Sequence, residues 1–389
     1  MKTRFLISSV TGALSIALVP LVPFLVFSAE QSGRFSIIYM AFIIMWSTML
    51  STTSDVRLRV EGRGGSVDDE HFRGAQTTIA LIGAVAGAII AMILGEQPLL
   101  WAVVFVAVGA SLLRVALRFE AMKTAVTLKR VIVSDLLTAV CFLGVVVVVL
   151  ARGIQDTALE WVLCGWAAGG LAGLIALAPF AVGSPRGAGR WIRDHRREAL
   201  PLLGDTILLD AGGSFAPLTL LFWLNLGQFG IYRALTSVGT PVQLLLDPVR
   251  PKISGLSSRE FLNWRVLGGV TVGGGALAGA AYAVLAIINR LGVFHSVLGD
   301  VAHYALPAAL YVFGNAFAYF AYLVARGHFT PRLLLIGRLS QTALQFALPI
   351  AGVLLGGLDL AIAGFASAIV VAAVVWLLLH VWWVAAHRR

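Results

Sequence analysis

The sequence predicts an all-α polytopic membrane protein: twelve transmembrane helices in two six-helix lobes related as parallel repeats. Three observations predict it. Hydrophobic residues fill 59% of the 389 positions and charged residues 12%, with mean hydropathy +0.90, against about 25% charge in a soluble domain. Apolar runs of bilayer-spanning length recur along nearly the whole chain and leave no room for a sizeable extramembrane domain. Basic residues crowd into every second loop, the arrangement that fixes orientation in a membrane.

The runs fall near 5–27, 34–53, 76–95, 97–117, 131–151, 159–182, 201–224, 228–249, 266–288, 301–325, 331–355 and 358–383. The first follows Met-Lys-Thr-Arg, as a signal peptide would. The apolar stretch from Phe5 to Phe27 is too long for one and no small-residue cleavage site follows, so it is expected to stay as a span. Loops on the N-terminal side carry Arg57, Arg59, Arg63 and Arg73, then Arg118, Lys123, Lys129 and Arg130, then Arg186, Arg190, Arg193, Arg196 and Arg197, then Arg250, Lys252, Arg259 and Arg265. The opposite loops hold only Arg34, Arg152 and Arg290. Both termini are therefore expected in the cytoplasm. Arginine outnumbers lysine heavily, a usage that fits a GC-rich bacterium, so the expected location is a bacterial plasma membrane.

The loop at 183–200 divides the runs six and six, giving an N-terminal lobe at 1–182, a basic cytoplasmic linker at 183–200 and a C-terminal lobe at 201–389. Within the linker, Arg190 to Glu198 reads either as an amphipathic helix on the anionic inner leaflet or as a solvated tether. Halves that both begin and end inside are parallel repeats, and transporters of that plan bind substrate between the repeats.

The stretch from Asn225 to Lys252, NLGQFGIYRALTSVGTPVQLLLDPVRPK, organises the second half. It enters a span at Gly230-Ile231-Tyr232 and closes at Asp247-Pro248-Val249-Arg250. A weaker copy precedes it: Gly33-Arg34-Phe35, Tyr39, then Asp55-Val56-Arg57. Tyr39 to Asp55 is sixteen positions and Tyr232 to Asp247 fifteen, an echo that internal duplication leaves behind. This pair of segments resembles the glycine–tyrosine opening of the second and eighth helices of polysaccharide (lipid-linked oligosaccharide) flippases. Those belong to the multidrug/oligosaccharidyl-lipid/polysaccharide flippase superfamily. The resemblance extends to helix count and loop plan. It implies a flippase that moves a polyprenyl-linked oligosaccharide or polysaccharide precursor outward by alternating access. The same pathway would supply glycan polymerase or glycosyltransferase partners.

Charged residues inside spans are costly and each is a candidate for function. Asp210 lies nine residues into the seventh run, about 13 Å deep, and Arg338 seven residues into the eleventh, about 10 Å. They read either as a functional pair or as a structural ion pair. Asp210 and Asp205 are the candidates for a coupling ion, H⁺ or Na⁺. Arg338, Gln341 and Gln345 share one helix face, and Asn315 and Tyr319 lie too deep for an interfacial belt. With Arg233 these six are the candidate cavity residues, the arginines suiting a lipid-linked phosphate. Each has a packing alternative, and Arg233 a snorkelling one. Arg114 is expected to snorkel at the inner surface, with Asp135 in a similar position.

Glycines four apart, at 83 and 87, 165 and 169, 275 and 279, 352 and 356, are expected to pack helices within the lobes. Asp68-Asp69-Glu70-His71 reads as a solvated patch rather than a metal site, and no metal or other cofactor is expected. Cys141 and Cys164 fall inside runs with no ligand spacing. There is no P-loop, nucleophile elbow or nucleic-acid module. The external loops are too short for a sugar polymerase, so the chain is not expected to be an enzyme. The competing reading is an ion-coupled, multidrug-type small-molecule exporter. A major-facilitator identity is disfavoured because Asp55-Val-Arg-Leu-Arg-Val-Glu-Gly-Arg63 lacks that class's loop pattern.

Overall fold

The computed structural model describes residues 2–63, 65–121, 128–177, 183–246, 250–292, 294 and 296–387, and every regular element among them is helical. The chain forms two compact units, Met1–Phe27 with Arg34–Asp210, and Ser28–Gly33 with Ala211–Arg389.

The first unit contains α1 (Lys2–Leu21), most of α2 (Ala29–Met49), α3 (Asp55–Gly62), α4 (Asp69–Ile93), α5 (Pro98–Ala121), α6 (Leu128–Arg152), α7 (Ala158–Ala176) and α8 (Ala188–Asp210). Its core is an aromatic cluster in which Trp166 of α7 meets Phe35, Tyr39 and Phe42 of α2 at ring separations of 5.9, 5.7 and 5.5 Å. Glycines let α6 and α7 approach closely: a Cβ on Gly169 would lie 2.8 Å from the Thr138 carbonyl oxygen. At that spacing Thr138 donates to the Gly169 carbonyl at 3.0 Å and Ser134 to that of Gly173 at 2.8 Å.

The start of α4 explains the acidic run. Asp68 is its N-cap and accepts from the Glu70 and His71 N–H groups at 2.9 and 3.1 Å. Those bonds, that of His71 foremost, hold the exposed carboxyl below its usual range. Asp69 pairs with Arg57 at 2.8 Å. Among the described residues no group of three His, Cys, Asp or Glu could hold a metal.

Between α2 and α3 the helix widens into a π turn, Leu50–Ser54. Such a turn leaves a main-chain carbonyl without its regular partner, and the Trp191 indole N–H supplies one, donating to the Thr52 carbonyl at 2.9 Å. Residues 183–200 are therefore not a free tether: after a 3₁₀ turn, Pro185–Gly187, they run straight into α8. Its Ala188, Trp191, Ala199 and Leu202 pack with Val56, Phe72 and Ala75. Trp191→Phe keeps the ring but orphans that carbonyl, and is expected to cost about 1–3 kcal/mol, read as a lower melting temperature of the detergent-solubilised protein. An unchanged melting temperature would show the bond to be dispensable.

The second unit contains α9 (Ala216–Thr219), α10 (Leu226–Ser237), α11 (Thr240–Leu246), α12 (Arg250–Ser254), α13 (Ser258–Phe261), α14 (Trp264–Leu291), α15 (Val297–Ala302), α16 (Ala305–His328) and α17 (Pro331–Ala386). A reciprocal capping box of Asn225 and Gln228 starts α10. Here the echo between Gly33 and Gly230 gains a physical meaning, because the two glycines face each other. A Cβ on Gly230 would run into the Ala29 carbonyl oxygen and lie 2.7 Å from the Gly33 nitrogen. A Cβ on Gly33 would run into the Leu226 carbonyl. The closing Asp247-Pro248-Val249 lies outside the described residues.

Among the described residues, eight helical stretches are long and apolar enough to cross a membrane: Ala29–Glu61, Asp69–Ile93, Pro98–Ala121, Leu128–Arg152, Ala158–Ala176, Trp264–Leu291, Ala305–His328 and Arg332–Ala386. The last, 55 residues, exceeds one crossing and turns at Gly356–Gly357, where φ at Gly357 is +68°, a conformation glycine adopts without strain. A Cβ on Gly352 would run into the Leu360 carbonyl, so the two arms pack backbone to backbone. Two expected single spans are instead segmented. The run 201–224 becomes α8, a π turn at Ala211–Phe215, α9 and a 3₁₀ turn at Leu220–Phe222. The run 228–249 breaks between α10 and α11, where the Tyr311 ring occupies the space a side chain at Gly239 would need. Of the glycine pairs, 83/87, 165/169 and 352/356 pack within their units, whereas Gly275 and Gly279 of α14 border open space.

Candidate functional site

The interrupted helix that begins as α8 carries the most unusual charge in the chain. Asp210, its last regular residue, is buried in the first unit at 7% exposure. Its carboxylate accepts a short hydrogen bond from the Ser47 hydroxyl of α2. No Lys, Arg or His forms a salt bridge with it among the described residues. A bare charge on a buried carboxylate without a cationic partner is costly. Asp205 is exposed. Ser47 was not singled out by sequence reasoning. Its signal was the hydroxyl-rich stretch Ser47-Thr48-Met49-Leu50-Ser51-Thr52-Thr53-Ser54.

The π turn that follows Asp210 belongs to the second unit. Two candidate cavity residues converge on it. Arg233 donates from Nη1 to the Gly213 carbonyl at 3.4 Å. The Gln345 amide oxygen sits against Gly212, so tightly that a Cβ there would run into it. π turns are frequent at functional sites because they free backbone groups within a helix.

The remaining candidates take part in internal packing. The Arg338 guanidinium stacks over the Tyr322 ring at 3.5 Å. Tyr322 packs edge-on to Trp376 at 5.7 Å, whose indole N–H donates to Gln341 at 3.0 Å. Tyr319 lies beside Tyr322. Asn315 donates to the Gly239 carbonyl at 3.3 Å, capping the break between α10 and α11. Arg338 and Asp210 thus each have a partner within their own unit. His380, which the sequence did not flag, is fully buried; Nε2 donates to the Ala321 carbonyl at 3.0 Å and Nδ1 lies 2.9 Å from the Ser258 hydroxyl.

Arg114 departs from expectation. It does not snorkel: it is 3% exposed and donates to Asp135, itself fully buried, at 2.9 Å. Arg118 binds the same carboxylate at 3.2 Å and the Ser8 carbonyl at 2.8 Å, while Thr11 and Ser15 of α1 approach Asp135 at 3.4 and 3.5 Å. Three helices are joined through one carboxylate. Gly12 and Gly173 leave the room that the Arg118 and Arg114 side chains fill.

No protein-family model matches the chain, and no curated protein sequence matches it. Its backbone does match solved structures. Lipid II flippase MurJ in an inward closed conformation aligns with TM-score 0.66 at 10% identity, over 98% of this chain and 87% of MurJ. At that identity the likeness is one of fold. An inward-facing multidrug resistance MATE family transporter of the MOP superfamily aligns with TM-score 0.59 at 10% identity, over 97% and 95%. The Vibrio cholerae MATE transporter VcmN aligns with TM-score 0.52 at 13% identity, over 99% and 97%. The shared fold and the apolar helices make this a multi-pass membrane protein. In this fold the glycines at 33 and 230 are points of close helix approach in the segments where the sequence carries its internal echo.

Proposed function

We propose that this protein is an ion-coupled flippase that moves a polyprenyl-linked oligosaccharide or polysaccharide precursor across a bacterial plasma membrane. Twelve spans in two six-helix lobes would alternate access, with both termini cytoplasmic. The observation that carries the reading of coupled transport is Asp210: a buried carboxylate with a hydroxyl partner and, among the described residues, no cationic one, at the head of a π turn. It would take up H⁺ or Na⁺. Arg233, held at that π turn, would meet a lipid-linked phosphate. The likeness to lipid II flippase MurJ over nearly the whole chain supports a lipid-linked substrate. Arg338 would contribute only if it left the Tyr322 ring. Glycosyltransferases or a polymerase of the same pathway would supply and consume the cargo.

The second reading, an ion-coupled small-molecule exporter, draws on the MATE likeness and on the same Asp210. Translocation in proteoliposomes separates the two. A polyprenyl-pyrophosphate oligosaccharide is placed in one leaflet and its exposure to an added glycosidase is followed under an imposed H⁺ or Na⁺ gradient. The wild type is expected to move it. Asp210→Asn keeps the acceptor for Ser47 but not the charge, so gradient-driven movement is expected to fall at least about tenfold with the fold intact. Arg233→Gln is expected to slow movement of the lipid-linked substrate. Gradient-driven efflux of small organic cations, with no glycan movement, would replace the flippase by the exporter.

A further inference from the structure

The α8 helix carries two apolar faces, and among the described residues protein covers only one. The covered face is that of Ala188, Trp191, Ala199 and Leu202. The second is a stripe of Ile192, Leu200, Leu203 and Ile207, of which Ile192, Leu200 and Ile207 are 59%, 64% and 52% exposed. Arg196 stands in the middle of this stripe, with Arg190, Arg193 and Arg197 beside it, all exposed. None of the four guanidiniums makes a hydrogen bond or salt bridge among the described residues. At about 100° per residue the four fall within an arc of about 120°, and Asp194 and Glu198 lie outside it.

We propose that this face of α8 docks anionic phospholipids of the cytoplasmic leaflet, the acyl chain on the apolar stripe and the phosphate among the four arginines. The order of residues along the helix argues for a lipid rather than a protein. The stripe continues without a break into the half of α8 that ends at buried Asp210, so its deeper end lies in the hydrocarbon layer. The arginines occupy only the outer half, about 15 Å or more from Asp210, at headgroup level. Arg196 then lays its stem along the stripe and lifts its charge to the surface. Guanidinium is matched to phosphate oxygens, and the leaflet that attracts basic residues is the anionic inner one. The same helix holds the π-turn carbonyl of Thr52 through Trp191, so lipid bound here steadies the junction between α2 and α3.

The test is the melting temperature of the full-length protein in nanodiscs of phosphatidylcholine with a rising fraction of phosphatidylglycerol. The wild type is expected to melt higher as phosphatidylglycerol increases, and the gain to shrink at high salt. R190Q/R193Q/R196Q/R197Q should melt like the wild type in pure phosphatidylcholine and need at least about tenfold more phosphatidylglycerol for the same gain, given about fivefold per basic residue. R290Q, an exposed arginine elsewhere, should keep the whole gain. If the quadruple variant already melts low in phosphatidylcholine, R193Q/R197Q is used with the same expectation at smaller size. An undiminished gain in the variants would overturn the proposal. So would an equal gain on adding inorganic phosphate to phosphatidylcholine discs, which would mark a soluble-anion site, or no dependence on phosphatidylglycerol at all.

Discussion

Asp135→Asn is expected to be the most damaging conservative substitution in the first unit, destabilising the folded protein by about 3–5 kcal/mol. The carboxylate is fully buried and neutralises one of two guanidiniums that reach it, Arg114 at 2.9 Å and Arg118 at 3.2 Å. Removing its charge takes away the anion that both guanidiniums reach. It also weakens the tie to α1, where Thr11 and Ser15 approach the same oxygens. The measurement is a thermal melt followed by size-exclusion chromatography of the solubilised variant. A second variant isolates the cause. Replacing all three charges together, Asp135→Leu with Arg114→Leu and Arg118→Met, is expected to recover much of the loss, because an apolar set avoids the cost of stranded charge. Should Asp135→Asn melt like the wild type, the cluster is not what binds α1, α5 and α6 together.

Gly230→Ala is expected to cost about 1–3 kcal/mol and Gly230→Leu more, with most of the leucine variant lost to aggregation on extraction. One methyl at this position collides with the Ala29 carbonyl oxygen and the Gly33 nitrogen, and both are backbone, so no side chain can turn aside. The neighbouring helices would have to separate along the crossing. Gly204→Ala is the control. It sits in α8 with nothing within 4 Å of a new Cβ, and alanine there favours helix by up to about 1 kcal/mol. A Gly230→Ala protein as stable as Gly204→Ala would show that the crossing is looser than its geometry implies.

These two sites differ in how far they could be read from the chain. The glycines at 33 and 230 stood out as an echo half a chain apart, each followed by a tyrosine that the fold buries, Tyr39 at 7% and Tyr232 at 1% exposure. That they touch each other was not legible, since sequence spacing carries no partner across so long a separation. For Arg114 the sequence suggested the wrong surroundings, and for Asp135 it left them open. A charge within a turn or two of a span's inner end can either reach water or turn inward. Depth alone does not distinguish these, whereas the room left by Gly12 and Gly173 decides for inward. Asp210 was legible as a deep charge, and depth suggested Arg338 as its mate. The fold gives it Ser47 and gives Arg338 the Tyr322 ring, because neither depth nor helical phase specifies which neighbouring helix a face meets.

What the sequence determined by itself was the solvent and the class: apolar runs of bilayer length and a one-sided basic bias require helices across a membrane, since only internally hydrogen-bonded backbone is tolerated there. It also placed the glycines and the costly charges. The tertiary structure alone decided where helices break, at the π turns 50–54 and 211–215 and at Gly239, and which polar groups serve packing. Those outcomes depend on contacts with side chains far along the chain, such as Trp191 on Thr52, Tyr311 on Gly239 and Gln345 on Gly212. A local hydrophobic pattern encodes that a face is buried, and the partner it is buried against is settled only when the whole chain packs.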